Sequence, residues 1–371
     1  MTRLRRALHG IAEEAPAVDM AALVDQAVAG RRRRRRAPVM MAAAAMVATV
    51  VTVVATGTVM TAVRSSQPHE MAAPGITDLP EGNVGPLGYA YETPCKVDKK
   101  ENVDCGAVEW RVVTGAGETY RLPQALAMTS KNHRVPVAVS RDGSKLAYYS
   151  RKDRAHVVRD LVSGARVTSP VTVKESRIGP GSTLALSDDG RYVVFDPREG
   201  SRDPGLLIEV GTGKTVKVPG KYEAIGVRDG VVELVRYIKT DLWLMPVTGG
   251  GKPVRFDGAF MGFSELAPDG RTVAAFERRD EKKWIQELRT LVLLDVGTGR
   301  KLRSVPIRGL PEGRPVMFTG PWRSGSELTV VVDGTQRMYA YGVDIGTGKA
   351  HPLTDYPNAL YLTLPGIVND R

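Results

Sequence analysis

The chain has 371 residues, with 52 Lys and Arg against 41 Asp and Glu, two cysteines and a formal net charge of +11. Aromatic residues at 6% and charged residues at 25% exclude a disordered chain and a polytopic membrane protein, and two cysteines exclude both a disulfide-rich scaffold and a zinc site made only of thiolates. The positive charge indicates nucleic-acid binding only if the cations form a patch on the folded surface.

The N-terminal segment, residues 1–36, holds nine basic and four acidic residues, a large share of the charge surplus. Apolar residues at helical spacing on both sides of Pro16 predict one or two short amphipathic helices. Helices this short are marginal in isolation, so we expect them to order on a cytosolic partner protein or on the membrane surface. The alternative is a tail whose pattern is incidental.

Six consecutive arginines end this segment: Arg31, Arg32, Arg33, Arg34, Arg35 and Arg36. Residues 38–63 follow without one charged residue, and as an α-helix they are long enough to cross a bilayer core of about 30 Å. Because arginines precede this stretch and only Arg64 soon follows it, the positive-inside rule predicts a single-pass protein of the cell membrane. The N-terminus is then cytosolic and the rest of the chain extracytoplasmic.

Two other interpretations of this region remain open. A cleaved signal peptide is the first, although a charged region of this length is long for one, and a twin-arginine export signal lacks its usual apolar pair. The second is a nucleic-acid-binding tail, but no aromatic residue is interleaved with the arginines to stack on bases. The arginine run is therefore interpreted as a topology signal, and no nucleic-acid partner is expected.

A linker is predicted at 64–84, and the two cysteines come soon after it. Cys95 and Cys105 bracket a strongly charged loop on the side predicted to lie outside the membrane. An even pair in an oxidising compartment predicts a disulfide, which stabilises a loop of this length by about 2–3 kcal/mol in the chain-entropy model. A redox switch is the alternative.

Two turn signals repeat through the rest of the chain, residues 85–371. The first is an Asp-Gly step between apolar runs, where glycine supplies positive φ and Asp can bond the turn backbone. It occurs at Asp142 and Gly143, Asp189 and Gly190, Asp229 and Gly230, and Asp269 and Gly270, with a degenerate copy at 322–326. The second is a Ser/Thr-Gly step that recurs at Gly115, Gly164, Gly213, Gly249, Gly299 and Gly348, mostly at intervals of 49 or 50 residues.

Six units of this length, each with four strands and tight turns, predict an all-β, six-bladed β-propeller, with seven blades as the alternative. The first unit offers only three strands, and the run 359–364 remains after the last unit. We expect this run to pair with the first unit, because that closes the ring and removes two sheet edges. The repeat also accounts for Gly211 to Thr215, which otherwise resembles part of a phosphate-binding loop.

The pattern Ser-x-Asp-Gly-x-x-Val/Leu-Ala-Tyr/Phe resembles the TolB-type, WD-like β-propeller repeat. The run from Asp241 to Pro246 resembles the strand that closes a blade in that family. The whole layout resembles that of actinobacterial single-pass membrane proteins with an extracytoplasmic propeller. This resemblance implies a link to regulators of transcription, including extracytoplasmic-function sigma factors.

Catalytic and metal-binding signals are weak. None of the five histidines, His9, His69, His133, His156 and His351, pairs with another at metal-ligand spacing. No nucleophile-elbow motif occurs, and the most regularly placed acids are those of the turns. We therefore expect no enzyme activity, cofactor or metal.

The predicted function is a membrane-anchored, extracytoplasmic binding or sensing module. Its partners would be an extracytoplasmic ligand or protein and a cytosolic regulator that contacts residues 1–36. The alternatives are an exported hydrolase or lyase with its site in the propeller channel, and a ligand-free scaffold of the envelope.

Overall fold

The structure is a computed structural model that describes residues 75–97, 101–198, 201–237, 240–278, 288–334, 337–357 and 361–368. These residues form β-strands, one 3-10 helix at Glu175–Arg177 and no α-helix. In this part of the chain no helix is long and apolar enough to cross a bilayer. The predicted cytosolic segment 1–36 and the predicted membrane helix 38–63 lie outside the described residues.

Six antiparallel sheets follow one another along the chain, and each is one blade of a propeller. Blade I contains β1 (Leu87–Glu92), β4 (Trp110–Thr114) and β5 (Thr119–Arg121), with the hairpin β2 (Lys96–Val97) and β3 (Val103–Asp104) inserted. Blade II contains β6 (Ala138–Val139), β7 (Lys145–Ser150), β8 (Ala155–Asp160) and β9 (Arg166–Thr172). Blade III contains β10 (Thr183–Leu186), β11 (Tyr192–Asp196), β12 (Gly205–Glu209) and β13 (Thr215–Val218).

The last three blades repeat the four-stranded order. Blade IV contains β14 (Glu223–Arg228), β15 (Val231–Arg236), β16 (Asp241–Pro246) and β17 (Val254–Arg255). Blade V contains β18 (Phe260–Met261), β19 (Thr272–Glu277), β20 (Thr290–Asp295) and β21 (Lys301–Pro306). Blade VI contains β22 (Val316–Trp322), β23 (Glu327–Val332), β24 (Arg337–Asp344) and β25 (Ala350–Pro357). The predicted all-β, six-bladed propeller is therefore confirmed, and the alternative of seven blades is wrong.

The ring closes as the sequence predicted. Ala90 of β1 and Thr363 exchange both backbone hydrogen bonds, each 2.8 Å long, so the chain after blade VI supplies the missing strand of blade I. The rings of Tyr89 and Tyr356 meet edge to face across the same seam, with centroids 5.8 Å apart. Backbone pairing and this aromatic contact thus both stabilise the seam between blades VI and I.

The blades pack face to face through alternate side chains, as expected of strands buried on both faces. In β7, Leu146 and Tyr148 belong to the apolar layer shared with blade I, whereas Ala147 and Tyr149 belong to the layer shared with blade III. Among the described residues, five such layers hold 10 to 16 buried apolar side chains each. The sixth, at the seam, holds four: Val331, Ala340, Leu362 and Leu364.

Residues 77–85, which we call the strap, are bound to the rim of the propeller. Backbone groups of the strap form hydrogen bonds with both the N–H and the C=O of Arg121 in β5. Further along, Val84 N donates to Leu161 O of blade II at 2.8 Å. Leu79 is 2% exposed in the layer between blades I and II. Most of the strap falls within the predicted linker, 64–84; it packs here because Leu79 and Val84 bring apolar side chains to that layer.

The glycine of the second turn lies against the preceding blade. Gly299 has φ +71°, and a Cβ atom there would overlap the carbonyl oxygen of Arg255 in β17. Gly348 has the same relation to Pro306 of β21. The turn of blade I contains both Gly115 and Gly117. The residue with positive φ there is Gly117, and not the predicted Gly115. Gly299 and Gly348 therefore provide both the turn conformation and the close approach of neighbouring blades.

Candidate functional site

The first turns of the repeats lie at one end of the central channel, which we call the turn end. In blade II, Asp142 Oδ1 accepts hydrogen bonds from Ser140 Oγ at 2.6 Å and Ser144 N at 2.9 Å. Burial raises the pKa of Asp142, but these hydrogen bonds outweigh it and hold the pKa below its usual value. The Asp142 carboxylate is therefore engaged in hydrogen bonds within its own turn.

The other first turns divide into two kinds. Asp189 accepts a hydrogen bond from Arg191 N at 2.9 Å, and Asp269 accepts one from Arg271 N at 2.8 Å, so both act as Asp142 does. Asp229 differs, because it and Gly230 both have positive φ, as a two-residue hairpin requires. Its carboxylate is 86% exposed and pairs with Arg228 at 3.3 Å, so at this position the predicted bond to the turn backbone is replaced by an ion pair.

A second set of acids fixes the outer turns at the same end of the propeller. Asp295 Oδ1 accepts hydrogen bonds from Gly297 N and Thr298 N, both 2.9 Å long. Asp295 also binds Arg271, which follows the first turn of that blade. Each of these acids lies four residues before the second-turn glycine, a spacing that sequence reasoning missed: Asp160, Glu209, Asp295 and Asp344.

An ion pair crosses the channel at the turn end. Arg141 of blade II pairs with Glu265, which precedes β19 in blade V, and its guanidinium lies 3.4 Å from Trp322 O of blade VI. Arg141 N also donates to Asp188 of blade III at 3.1 Å, and Trp322 N donates to Glu265 at 2.8 Å. One arginine thus connects four blades across the propeller axis.

The chain after the closing strand covers this ion pair. Gly366 N donates to Val139 O of blade II at 3.0 Å. Ile367 packs with the seam cluster and Val368 with the layer between blades III and IV. Two cavities along the channel have volumes of about 70 and 20 Å³, and residues 366–368 line both.

Glu233 is a buried carboxyl beside the second of these cavities. It is 2% exposed, and its Oε2 accepts a hydrogen bond from Leu266 N at 2.9 Å. Burial raises the pKa of Glu233 to about 7, against the opposing effects of that bond and of Arg228 and Arg141. Through its hydrogen bond to Leu266 N, the Glu233 carboxyl connects blades IV and V. With this pKa, the carboxyl is partly protonated near neutral pH.

Stability should therefore fall as pH rises from about 5 to about 7, because the native state keeps a proton on Glu233 that the unfolded state releases. Glu233→Gln keeps an acceptor for Leu266 N and removes the charge. We expect it to reduce this dependence, to which Glu92 also contributes because burial raises its pKa to about 7, and to raise the free energy of unfolding at pH 8 by about 1–3 kcal/mol. Urea unfolding at a series of pH values measures both effects. Glu312→Gln, at an exposed position, is the control, and an equal response of the two variants would contradict the assignment.

The three histidines within the described residues, His133, His156 and His351, lie in separate surroundings. His156 is 2% exposed between Tyr149 and Phe195, and burial lowers its pKa to about 4. His133 Nδ1 lies 3.1 Å from Ile178 O, and His351 lies 3.8 Å from Glu327. Within the described ranges, no group of three or more His, Cys, Asp or Glu side chains could hold a metal ion.

The opposite end of the propeller carries a hairpin and a cleft. Cys95 and Cys105 form the disulfide predicted from the sequence, with Cα atoms 4.4 Å apart, at the base of the hairpin β2–β3. Val97 and Val103 pair across this hairpin and are 62% and 64% exposed. Beside it a cleft of about 900 Å³ opens between blades I and II, lined by Cys105 and by the connection 123–130.

A buried charge pair lies at the same end of the channel. Arg134 Nε donates to Glu92 at 3.0 Å, and its guanidinium lies 3.8 Å from the centre of the Tyr361 ring. Tyr361 has φ +55°, an unusual conformation for a side chain of this size. These contacts fix the start of the closing strand against blade I.

No family model matches this sequence, and no curated protein does. Solved structures with a similar fold include TolB from Acinetobacter baumannii, at 17% identity over 77% of this chain and 65% of that one, with a TM-score of 0.46. A protein from Agrobacterium tumefaciens assigned as TolB is 15% identical over 77% and 97%, with a TM-score of 0.42. A chain of a nidogen/laminin complex is 8% identical over 76% and 97%, with a TM-score of 0.44.

With identities below 25% and TM-scores below 0.5, these neighbours carry no conclusion about the role of this chain. This chain spans less than two thirds of the length of the Acinetobacter protein. Similarity of this degree does not identify what the chain binds, so its function is argued below from its own residues.

Proposed function

We propose that this chain is a membrane-anchored, extracytoplasmic binding module whose propeller contacts a protein partner. The observation that carries the proposal is the exposed pair Val97 and Val103 on a hairpin closed by a disulfide, next to a cleft of about 900 Å³. Apolar side chains exposed on a fixed protrusion beside a large concave surface are typical of interaction sites.

The turn end of the channel favours binding over catalysis. Ligand pockets usually measure about 300–1,000 Å³. The cavities behind residues 366–368 and the Arg141–Glu265 pair are far smaller, at about 70 and 20 Å³. A hydrolase or lyase site in the channel would need this ion pair and this segment to move, so we propose no enzymatic activity.

The proposed position in the cell comes from the sequence. The arginine run and residues 38–63 support a single membrane span with the propeller outside, and the two short apolar patterns support a cytosolic partner protein for residues 1–36. We propose that the propeller binds the extracytoplasmic partner and that residues 1–36 contact a cytosolic regulator.

A photo-crosslinking amino acid at Val103 tests the proposal in intact cells that make the full chain. We expect one discrete adduct with a protein, because Val103 lies on the proposed contact surface. Protease added from outside to cells stripped of their outer layers should degrade that adduct, because the proposal places the propeller outside the membrane. Gel mobility and mass spectrometry of the adduct are the measurements.

The matched control is the same amino acid at Leu302, which is 51% exposed on β21 of blade V, away from the hairpin. Equal adducts from both positions, or none from Val103, would contradict the proposed contact surface. An adduct protected from external protease would contradict the proposed topology.

A further inference from the structure

The seam between blades VI and I is the loosely packed interface of the ring. Its layer holds four buried apolar side chains where the other layers of the described residues hold at least 10. A crevice of about 370 Å³ lies between the two blades at this seam, and its volume is within the size range of small-molecule sites. Like the cleft of about 900 Å³ between blades I and II, this crevice lies between neighbouring blades and is open to solvent.

The walls of the crevice are mostly apolar. Val331 of β23, Ala340 of β24 and Leu353 of β25 contribute from blade VI, and Leu364 contributes from the closing strand. Gly88, at a bulge in β1, faces the crevice from blade I. Ala340 and Gly88 are the smallest residues of these walls.

Two arginines line the same crevice, and no acidic residue does. Arg323 pairs through Nε with Glu327 at 2.7 Å and is 52% exposed. A guanidinium has five N–H donors, so this pairing leaves donors for a further acceptor. Arg141 lies next to the same turn, because its guanidinium is 3.4 Å from Trp322 O. The crevice thus combines an apolar interior with two guanidinium groups, each already paired with one carboxylate: Arg323 with Glu327 and Arg141 with Glu265.

We propose that this crevice binds a small carboxylic acid with an apolar body. The body fills the space between Val331, Leu353 and Leu364, and the carboxylate is bound by Arg323 with Arg141 beside it. A planar guanidinium matches a carboxylate with two parallel hydrogen bonds, which gives such a site its orientation and its selectivity for anions. This site is separate from the hairpin and cleft of the proposed function and does not depend on that proposal.

Phenylbutyrate is a suitable probe, and phenylbutanol, which has the same body without the charge, is its control. Isothermal titration calorimetry on the full chain should show saturable binding of phenylbutyrate and at least tenfold weaker binding of phenylbutanol. Arg323→Gln should weaken phenylbutyrate binding at least tenfold, whereas Arg300→Gln, in a turn of blade V outside the crevice, should leave it unchanged.

Ala340→Leu tests the position of the apolar body, because the added side chain enters the crevice without removing either arginine. We expect this variant to lose phenylbutyrate binding. Equal binding of phenylbutyrate and phenylbutanol, or binding that survives both Arg323→Gln and Ala340→Leu, would overturn the proposal, as would the absence of saturable binding by the unaltered chain. If Ala340→Leu fails to fold, the unaltered chain and Arg323→Gln still decide the outcome.

Discussion

Gly299→Ala is expected to destabilise the propeller by about 3–5 kcal/mol. The substitution places a side chain in the left-handed region, at a cost of about 1–2 kcal/mol, and forces a Cβ atom into the carbonyl of Arg255 on the neighbouring blade. The backbone of β17 cannot yield as a flexible side chain could, so the two blades must separate. Urea unfolding followed by tryptophan fluorescence measures the loss.

Gly270→Ala is the matched control, because Gly270 has φ +67° in a turn of the same blade and a Cβ atom there meets nothing within 4 Å. It carries the backbone strain without the collision, so we expect a loss of only about 1 kcal/mol. If the two variants lost the same stability, the close approach between blades would contribute nothing and the second-turn glycines would serve the turn alone.

Thr363→Pro is expected to open the ring. It removes the N–H that donates to Ala90 O and places a proline in a strand that is paired with β1, which together should cost about 3–5 kcal/mol. Because blade I then has an unpaired edge, we also expect the variant to self-associate. Urea unfolding and size-exclusion chromatography measure the two effects.

Thr363→Val provides the control for this position. The hydroxyl of Thr363 is buried without a hydrogen-bond partner, so valine keeps the shape and the backbone donor and removes only an unsatisfied group. We expect this variant to be as stable as the unaltered chain or more stable. A Thr363→Pro protein that unfolds at the same urea concentration as Thr363→Val would show that ring closure adds little to stability.

The sequence predicts the blades well because blade structure is local. An Asp-Gly step such as Asp142 and Gly143 needs only its neighbours to form a turn, and the six copies of the Ser/Thr-Gly step indicate the number of sheets. The closing strand was also predictable, since the first unit lacks one strand and the run after the last unit supplies it. Asp295 and its equivalents could have been found too, because their spacing to the second-turn glycine is constant.

The candidate sites depend on contacts that no local pattern encodes. Arg141 and Glu265 pair across the axis although they are 124 positions apart, and Gly366 binds Val139 from the far end of the chain. Their alignment depends on six blades closing into one ring, a property of the whole fold. The crevice at the seam is harder still to foresee, because its walls, among them Gly88, Ala340 and Leu364, come from distant parts of the sequence.

The strap determines how mechanical force enters the propeller. A pull on the chain ahead of residue 77 acts on backbone hydrogen bonds to Arg121 of blade I and, further along, on those to Leu161 of blade II. These bonds carry the load before it reaches β1, so the closing pair of Ala90 and Thr363 is shielded from tension. A propeller pulled from this side should resist being unravelled strand by strand, because stretching would first detach the strap while the ring stays closed.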